Sequence, residues 1–342
     1  MRVPHDEGVQ AELSNPKWLA LTQTEPTWAA FRMLAMRAVL EFENATKEYS
    51  SLFGRRHLRA LDSFSLSVSA GEIFGFLGPN GAGKTTAIHL AMGFMRPTHG
   101  SGQLLGKPFG VPSAHRRVGF LPENVALYPR GAEELVRFYG ALNGLSGQAL
   151  RQRAGKVLNI VGLQDRSKGN VSKFSRGMLQ GIGLAQALVN DPELLILDEP
   201  TSALDPASRV AVRELLLKMR AAGKTIFLSS HLLSEIELVC DRVAILHRGK
   251  LVRVGKTADL LETTERTEIV ARGIALNAFS QTTAQDGVVR FVVSSGDQRA
   301  ALERVWSLGG EVVSVTPERR SLEEIFLELT GNVKAAASGG QK

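Results

Sequence analysis

The sequence is poor in cysteine, aromatic residues and long apolar runs, and each shortage excludes a class of protein. Only one of its 342 residues is a cysteine, Cys240, which excludes an internal disulfide framework and fits a reducing compartment. No stretch reaches the ~20 apolar residues that a membrane-spanning helix needs. Asp6 and Glu12 stand where a secretory signal would carry apolar residues. We therefore expect a cytoplasmic protein with no transmembrane span of its own.

The charge of the chain is moderately basic, with 41 lysines and arginines against 34 acidic residues. A basic surface can bind phosphate ligands, nucleic acid or an anionic membrane. The basic residues, however, lie in short scattered groups such as Arg55–Arg56 and Arg116–Arg117, without the interleaved aromatics on which bases stack. The pattern favours an ordinary solvated surface, and we expect no nucleic-acid partner.

The first 36 residues form an N-terminal extension without a clear hydrophobic period, and we expect it to be flexible. Two of the three tryptophans of the chain, Trp18 and Trp28, lie in it. One interpretation is that the natural start is Met36 and the upstream residues are excess. The other is a short docking segment that orders on a partner. The sequence does not decide between them.

The rest of the chain divides into regions of different periodicity. Residues 37–262 alternate short apolar runs with helix-period segments, which predicts an α/β domain. Residues 124–190 interrupt this rhythm and predict an inserted, mainly helical subdomain. Residues 266–330 predict strand, strand, helix, strand and helix, a small C-terminal α+β accessory domain. The tail, 331–342, is predicted to be disordered.

A glycine-rich motif follows the apolar run Ile73–Leu77 and opens a predicted helix at Thr85–Met92. The motif matches G-x-x-x-x-G-K-[ST] and consists of Gly78, Pro79, Asn80, Gly81, Ala82, Gly83, Lys84, Thr85 and Thr86. In this context the backbone N–H groups of such a loop cradle phosphate oxygens. We expect Lys84 to reach the β- and γ-phosphates and the Thr85 hydroxyl to bind Mg²⁺.

A second motif joins an aliphatic run, Leu194–Leu197, to the acids Asp198 and Glu199. A continuous aliphatic run is typical of a buried parallel strand, and α/β sheets bind their ligands at the carboxyl ends of such strands. We expect Asp198 to hold Mg²⁺ and Glu199 to act on the attacking water as the general base. Beside a phosphate-binding loop, this interpretation is favoured over a strand that merely ends in a solvated acidic turn.

Together the motifs resemble the nucleotide-binding subunits of ATP-binding-cassette (ABC) transporters, along most of the chain from about residue 37 to 330. Five further segments stand where that family has its Q-loop, LSGGQ signature, D-loop, switch-histidine loop and adenine-stacking aromatic: Gly119–Glu123, Lys173–Gln180, Ser202–Asp205, Ser229–His231 and Tyr49. The resemblance implies an α/β P-loop NTPase cassette with an antiparallel β edge and an inserted helical subdomain.

The resemblance also implies how ATP and Mg²⁺ are bound. Ser175 and Gly177 begin a helix whose N–H groups suit a γ-phosphate, and in the family that phosphate belongs to the opposite subunit. The site therefore requires a homodimer, or a heterodimer with a related ATPase subunit. His231 is expected to bind the γ-phosphate and the attacking water, and Asp205 to lie at the nucleotide interface. Tyr49 is expected to stack on adenine, although a tyrosine there can also be simple edge packing.

Three departures from the family pattern bear on the rate of hydrolysis. Glu123 replaces the usual glutamine, so that a carboxylate faces Mg²⁺ and adds negative charge, which is expected to slow hydrolysis. The signature reads Phe174–Met178 and lacks its glutamine. Gly181 stands where the family commonly has a basic residue, which weakens the helix by up to ~1 kcal/mol.

The C-terminal run Ser321–Thr330 resembles exporter-type subunits, which handle drugs, lipids or polysaccharides. The predicted function is an ATP-hydrolysing subunit that powers a separate membrane permease for export, from the inner face of the cell membrane.

By resemblance, Glu123–Tyr139 borders the groove for the permease, but the same residues can simply pack the subdomain. The alternative function is a soluble ABC-type ATPase acting on a ribosome or nucleic-acid complex. Such proteins usually carry two cassettes, and one is visible here.

Overall fold

The computed structural model describes residues 38–50, 57–125, 127–202, 204–261, 263–280 and 282–329. The predictions made for the extension 1–36 and the tail 331–342 lie outside the described residues. The strands of the described residues are β1 (Ala38–Ser50), β2 (His57–Ser69), β3 (Ile73–Leu77), β4 (His99–Leu104), β5 (Lys107–Pro108), β6 (Val118–Leu121), β7 (Leu194–Asp198), β8 (Thr225–Ser230), β9 (Arg242–His247), β10 (Lys250–Lys256), β11 (Thr263–Arg272), β12 (Thr283–Gln285), β13 (Val288–Ser294) and β14 (Glu311–Arg319).

The helices connect and cover these strands. They are α1 (Lys84–Ala91), α2 (Pro112–His115), α3 (Ala132–Leu142), α4 (Gly147–Ile160), α5 (Arg176–Leu188), α6 (Pro206–Ala221), α7 (Leu233–Val239), α8 (Thr257–Leu260), α9 (Gln298–Ser307) and α10 (residues 322–329). Short 3₁₀ turns occur at Gln164–Arg166, Val171–Lys173 and Leu276–Ala278.

A central sheet with the strand order β10-β9-β3-β8-β7-β6 positions the site. All of its neighbouring pairs are parallel except β10 with β9. Because the carboxyl ends of parallel strands meet at one edge, the segments that follow β3, β8, β7 and β6 lie next to one another. Those segments are the glycine-rich loop, the loop of His231, the acid pair and the loop of Glu123.

The two faces of the central sheet are covered by different layers. Phe74 and Phe76 of β3 belong to a core cluster with α1 and with the antiparallel sheet β2-β1-β4-β5. Leu195 and Leu197 of β7 belong to a second cluster, with helices α3 to α7. Successive side chains of a strand point to opposite faces, so one short apolar run supplies both cores.

Helices α3, α4 and α5 lie between β6 and β7, in the stretch that the sequence predicts to be an inserted helical subdomain. Glu133 and Glu134 occupy the first turn of α3, where acidic side chains interact favourably with the helix dipole. The α3 N-terminus is held by a hydrogen bond from the Ala132 N–H to the Gly169 carbonyl, 3.0 Å long. The exact domain boundaries remain predictions.

We call the part of the structure from β1 to α8 the cassette. A separate antiparallel sheet with the order β12-β13-β11-β14 follows it. Helix α9 packs on one of its faces and forms a small core that includes Ile269, Phe291 and Val305. The ring of Phe279 stacks on Phe291 with 3.9 Å between centroids. We call β11 to β14 and α9 the C-terminal lobe.

Helix α10 leaves the C-terminal lobe and returns to the cassette. Leu322 is fully buried and Ile325 nearly so, in the same core cluster as Val239 and Leu260. The Leu322 N–H donates a 2.5 Å hydrogen bond to Oε1 of Glu237 on α7. The last helix of the region 266–330 is therefore part of the cassette core, because its apolar residues fall on one face at helical spacing.

This packing predicts that Leu322→Ala lowers the free energy of unfolding by about 2–4 kcal/mol, since it leaves a cavity in the core. Leu327 on the same helix is 62% exposed and provides the matched control. Leu327→Ala is expected to change the free energy by less than about 0.5 kcal/mol. Urea denaturation of both variants gives the measurement. Equal, small effects would mean that α10 does not pack on the cassette.

Candidate functional site

The glycine-rich loop between β3 and α1 closes tightly around its own lysine. Lys84 is buried, and its Nζ donates a 2.7 Å hydrogen bond to the Gly78 carbonyl. Gly83 has a φ of +111°, and a Cβ at this position would lie 2.4 Å from the Ala60 carbonyl oxygen. Only glycine fits there. Within the loop the Pro79 carbonyl accepts a 3.0 Å hydrogen bond from the Ala82 N–H, and Asn80, Gly81 and Thr86 complete the motif.

Asp198 ends β7 beside the start of α1. Its Oδ2 accepts a 3.2 Å hydrogen bond from the Thr85 hydroxyl, and its Oδ1 accepts one of 2.5 Å from the Ser229 hydroxyl. Asp198 is 2% exposed. The structure thus brings together Thr85 and Asp198, the two residues that the sequence predicts on either side of a magnesium ion.

Glu199 links the lysine of the loop to the histidine that follows β8. Its Oε1 lies 3.5 Å from Lys84 Nζ, and its Oε2 lies 2.7 Å from His231 Nδ1. The side chain of Glu199 is 7% exposed, whereas that of His231 is 48% exposed. A nearly buried carboxylate is stable only with such partners. Glu199 therefore contacts both of the other predicted catalytic residues, Lys84 and His231.

The oxygen donors at this place suit Mg²⁺, the metal that the sequence implies. A hydroxyl and a carboxylate are hard ligands, and Mg²⁺ usually takes one or two protein ligands beside water and phosphate. The described part of the chain holds no group of three or more His, Cys, Asp or Glu residues that could bind a metal alone. Glu123, the third predicted ligand, is exposed on the loop after β6, at the same edge of the sheet.

The residues described so far around Lys84 and the two acids form a first group. Ser175 and Gly177 belong to a second group, at the start of α5. The Ser175 hydroxyl caps the helix by accepting a 3.3 Å hydrogen bond from the Met178 N–H. A Cβ at Gly177 would lie 3.0 Å from the hydroxyl oxygen of Ser208 on α6. Together these residues line a cavity of about 610 Å³ between α5 and α6.

Asp205 joins this second group through Ser208. Its carboxylate caps α6, accepting hydrogen bonds of 2.9 Å from the Ser208 N–H and 2.7 Å from the Ser208 hydroxyl. These hydrogen bonds, the backbone one first, lower the pKa of the Asp205 carboxyl. The signature segment and Asp205 are thus neighbours, while Lys84 and the acids form the first group.

Tyr49 lies near the end of β1 and is 39% exposed. Its hydroxyl donates a 3.2 Å hydrogen bond to the Met95 sulfur, and Lys47 Nζ is 5.5 Å from its ring centroid. The ring is accessible and also has partners in the chain. Stacking on adenine and edge packing both stay open as predictions.

Two residues with polar contacts to the site lie in segments that the sequence analysis names, but no role was predicted for either. Ser229 contacts Asp198, and Gln180 donates from Nε2 a 2.9 Å hydrogen bond to the Pro200 carbonyl. The second bond ties the signature helix α5 to the segment after Glu199. A polar residue at the carboxyl end of an apolar strand, as at Ser229, is a signal that could have indicated the first contact.

The buried thiol of Cys240 has no part in this geometry. Burial raises the pKa of Cys240 well above its usual range, which keeps the thiol protonated. It agrees with the interpretation of a structural rather than a nucleophilic cysteine.

Comparison with known proteins identifies the group to which the chain belongs. Residues 61–202 match the family model described as ABC transporter. An ABC transporter ATP-binding protein of Synechocystis is 40% identical over 84% of each chain. The Nod factor export ATP-binding protein I of Cupriavidus pinatubonensis is 34% identical over 87% of this chain and 92% of its own. The bacitracin transport ATP-binding protein of Bacillus licheniformis is 34% identical over 86% of this chain and 98% of its own.

A solved structure supports the same assignment. It is an ATP-binding cassette in a dimeric post-hydrolysis state with ADP and Pi, and it covers 64% of this chain and 99% of its own with a TM-score of 0.59 and 25% identity. The predicted α/β P-loop cassette and the predicted ATPase activity are confirmed. The chain therefore belongs to the ATP-binding proteins of ABC transporters and is an ATPase of that family.

Proposed function

We propose that this ATPase drives export through a separate membrane permease. The observation that carries the proposal is the similarity, along most of the chain, to proteins of Nod factor export and bacitracin transport. A further relative, a linearmycin resistance ATP-binding protein of Bacillus subtilis, is 37% identical over 65% of this chain. Among the described residues, no helix is long and apolar enough to cross a bilayer. The proposed location is the inner face of the cell membrane, through the permease.

The residues of the first group divide the chemistry among them. The glycine-rich loop holds the phosphates of ATP, and Lys84 exchanges its contacts with Gly78 and Glu199 for the phosphates. Thr85 and Asp198 would hold Mg²⁺, with Glu123 as a third proposed ligand; when bound, the ion neutralises phosphate charge. Once Lys84 turns to the phosphates, Glu199 is free to accept a proton from the attacking water. His231 orients the Glu199 carboxylate and this water.

The γ-phosphate also needs contacts that this group does not supply. Ser175 and Gly177 present a helix N-terminus, which favours an anion. The atoms nearest to a Cβ at Gly177 belong to Ser208 and Leu204 and not to the glycine-rich loop. We assign Ser175 and Gly177 to the ATP of a second subunit, together with Asp205. Hydrolysis then depends on a dimer, either of two copies or with a related ATPase.

The proposed surface for the permease lies on α3 and the loop before it. Leu135 is 1% exposed and packs in the core, as the alternative interpretation expects. Tyr128 is 67% exposed and Phe138 49% exposed, so two aromatic side chains remain available for a partner. Exposed aromatic residues are frequent anchors in protein interfaces.

The proposal is tested by searching for a membrane protein encoded next to this chain and co-expressing the two; the absence of such a protein would count against a separate permease. We expect the two to co-purify in detergent and the membrane protein to change the ATPase rate. The double variant Tyr128→Asp, Phe138→Asp is expected to lose co-purification, while Leu276→Asp, at a residue 53% exposed in the C-terminal lobe, is expected to keep it. Equal recovery of all three forms would contradict the assigned surface. Association with ribosomes instead of membranes would favour the soluble alternative, which the relatives do not support.

A further inference from the structure

Ser229 lies in the middle of the site, yet its hydroxyl forms its hydrogen bonds with the acid pair and not with the glycine-rich loop. It lies in β8, directly beside Asp198 of β7 in the parallel register. Its side chain is fully buried, at 0% exposure. A buried hydroxyl must be hydrogen-bonded, and the partners it has indicate what it does.

Both partners of the Ser229 hydroxyl belong to the acid pair. The hydroxyl donates to Oδ1 of Asp198 at 2.5 Å and accepts from the Glu199 N–H at 3.2 Å. One side chain therefore holds the carboxylate of the first acid and the backbone of the second. The donor and acceptor capacity of a serine hydroxyl allows both bonds at once.

The backbone of Glu199 needs such support. Its φ is +52°, in the left-handed region, which non-glycine residues adopt only where their surroundings impose it. The Glu199 N–H also lies 3.1 Å from the carbonyl oxygen of Ser229, so backbone and side chain of one residue hold it together. In this conformation the carboxylate reaches Lys84 and His231.

We infer that Ser229 is a positioning residue for ATP hydrolysis, which fixes the magnesium-side acid and the general base relative to each other. The inference rests on the proposed roles of Asp198 and Glu199. Without the hydroxyl, Oδ1 of Asp198 loses its only side-chain donor among the described residues, and Glu199 loses one of the two contacts of its N–H. The Ser229 hydroxyl itself has its hydrogen bonds with the acid pair and not with the glycine-rich loop or with Lys84.

Ser229→Ala is therefore expected to separate turnover from nucleotide binding. We expect kcat to fall about 10- to 100-fold, as for partners that orient metal ligands, and the Mg²⁺ concentration for half-maximal rate to rise. The dissociation constant for ATP without Mg²⁺, from fluorescence titration with a trinitrophenyl-ATP probe, is expected to stay within about twofold. Ser229→Thr keeps the hydroxyl and is expected to recover most of the rate.

Thr225→Val provides the matched control. Thr225 begins the same strand, is 2% exposed, and its hydroxyl accepts a 2.9 Å hydrogen bond from the Gly71 N–H, far from the acids along β8. The Thr225→Val variant is expected to have a lower melting temperature, with kcat and the Mg²⁺ dependence of the rate unchanged. If Ser229→Ala does not fold, Ser229→Cys fills the position with a somewhat larger group that is only a weak donor, and it is expected to show the same loss of kcat.

The outcomes distinguish the inference from the proposed function. A kcat for Ser229→Ala or Ser229→Cys no lower than for Thr225→Val, with Glu199→Gln inactive, overturns the role of Ser229 alone. Full activity of Glu199→Gln overturns the proposed general base instead. A loss in Ser229→Ala that Ser229→Thr reverses, with unchanged ATP binding, supports the inference.

Discussion

Glu199→Gln is expected to lower the turnover of ATP at least about 100-fold while leaving ATP binding intact. The amide keeps the size of the carboxylate and can still bond to His231, 2.7 Å away in the wild type. It cannot take the proton of the attacking water. Because ATP then stays bound without being hydrolysed, two chains are expected to remain closed around two ATP molecules.

The trapped dimer is measured by size-exclusion chromatography with Mg·ATP, beside a phosphate-release assay. Adding Ser175→Arg is expected to abolish the dimer, since a bulky charged side chain fills the place of the partner's phosphate. Glu193→Gln is the matched control. Glu193 directly precedes β7, the strand that Glu199 follows; its side chain is 55% exposed and pairs with Arg117 outside the site. Full hydrolysis by Glu199→Gln would remove the general-base role. A monomer that hydrolyses at full rate would contradict a shared site.

Lys84→Ala is expected to weaken ATP binding and hydrolysis together. The ammonium group contacts phosphate both before and during the reaction, so its loss is felt in both. A charge-assisted hydrogen bond contributes about 1.5–3 kcal/mol, which corresponds to a loss of affinity of roughly 10- to 100-fold. Turnover at saturating ATP is expected to fall by at least about the same factor.

Isothermal titration with ATP and the phosphate-release assay separate the two effects of Lys84→Ala. Lys256→Ala removes an exposed lysine of β10 and controls for the change in net charge. Since Lys84 is the cation beside Glu199, a melting curve shows whether the variant is also less stable. Wild-type ATP affinity in a folded Lys84→Ala protein would contradict its assignment to the phosphates.

The position of the main site could be predicted because its motifs follow parallel strands. Lys84, Glu199 and His231 are far apart in sequence, yet each follows a strand whose carboxyl end meets the same edge. Strand order and register depend on long-range pairing, which one sequence does not reveal. The contact of Ser229 with Asp198 and the left-handed backbone of Glu199 were therefore not predicted.

Strand β4 shows a different limit of sequence-based prediction. Its residues, His99–Leu104, include two glycines and no β-branched residue, so intrinsic preference does not favour a strand. It forms because β1 offers an edge, and the two strands pair from Leu40 with Leu104 to Thr46 with His99. A Cβ at Gly100, whose φ is +79°, would lie 2.2 Å from the Asn44 carbonyl oxygen, so the glycine permits this close pairing.

The return of α10 to the cassette restricts how the C-terminal lobe can move. A body joined by one flexible linker keeps all its rotations, whereas a second attachment to the same partner removes some of them. The chain leaves the cassette after Leu260 and rejoins it at Leu322, whose N–H is bonded to Glu237 of α7. The two connections leave the lobe side by side, because Thr263 of β11 pairs with Arg319 of β14. The lobe is therefore held at both ends of its chain, and the second attachment is to α7, which begins two residues after His231.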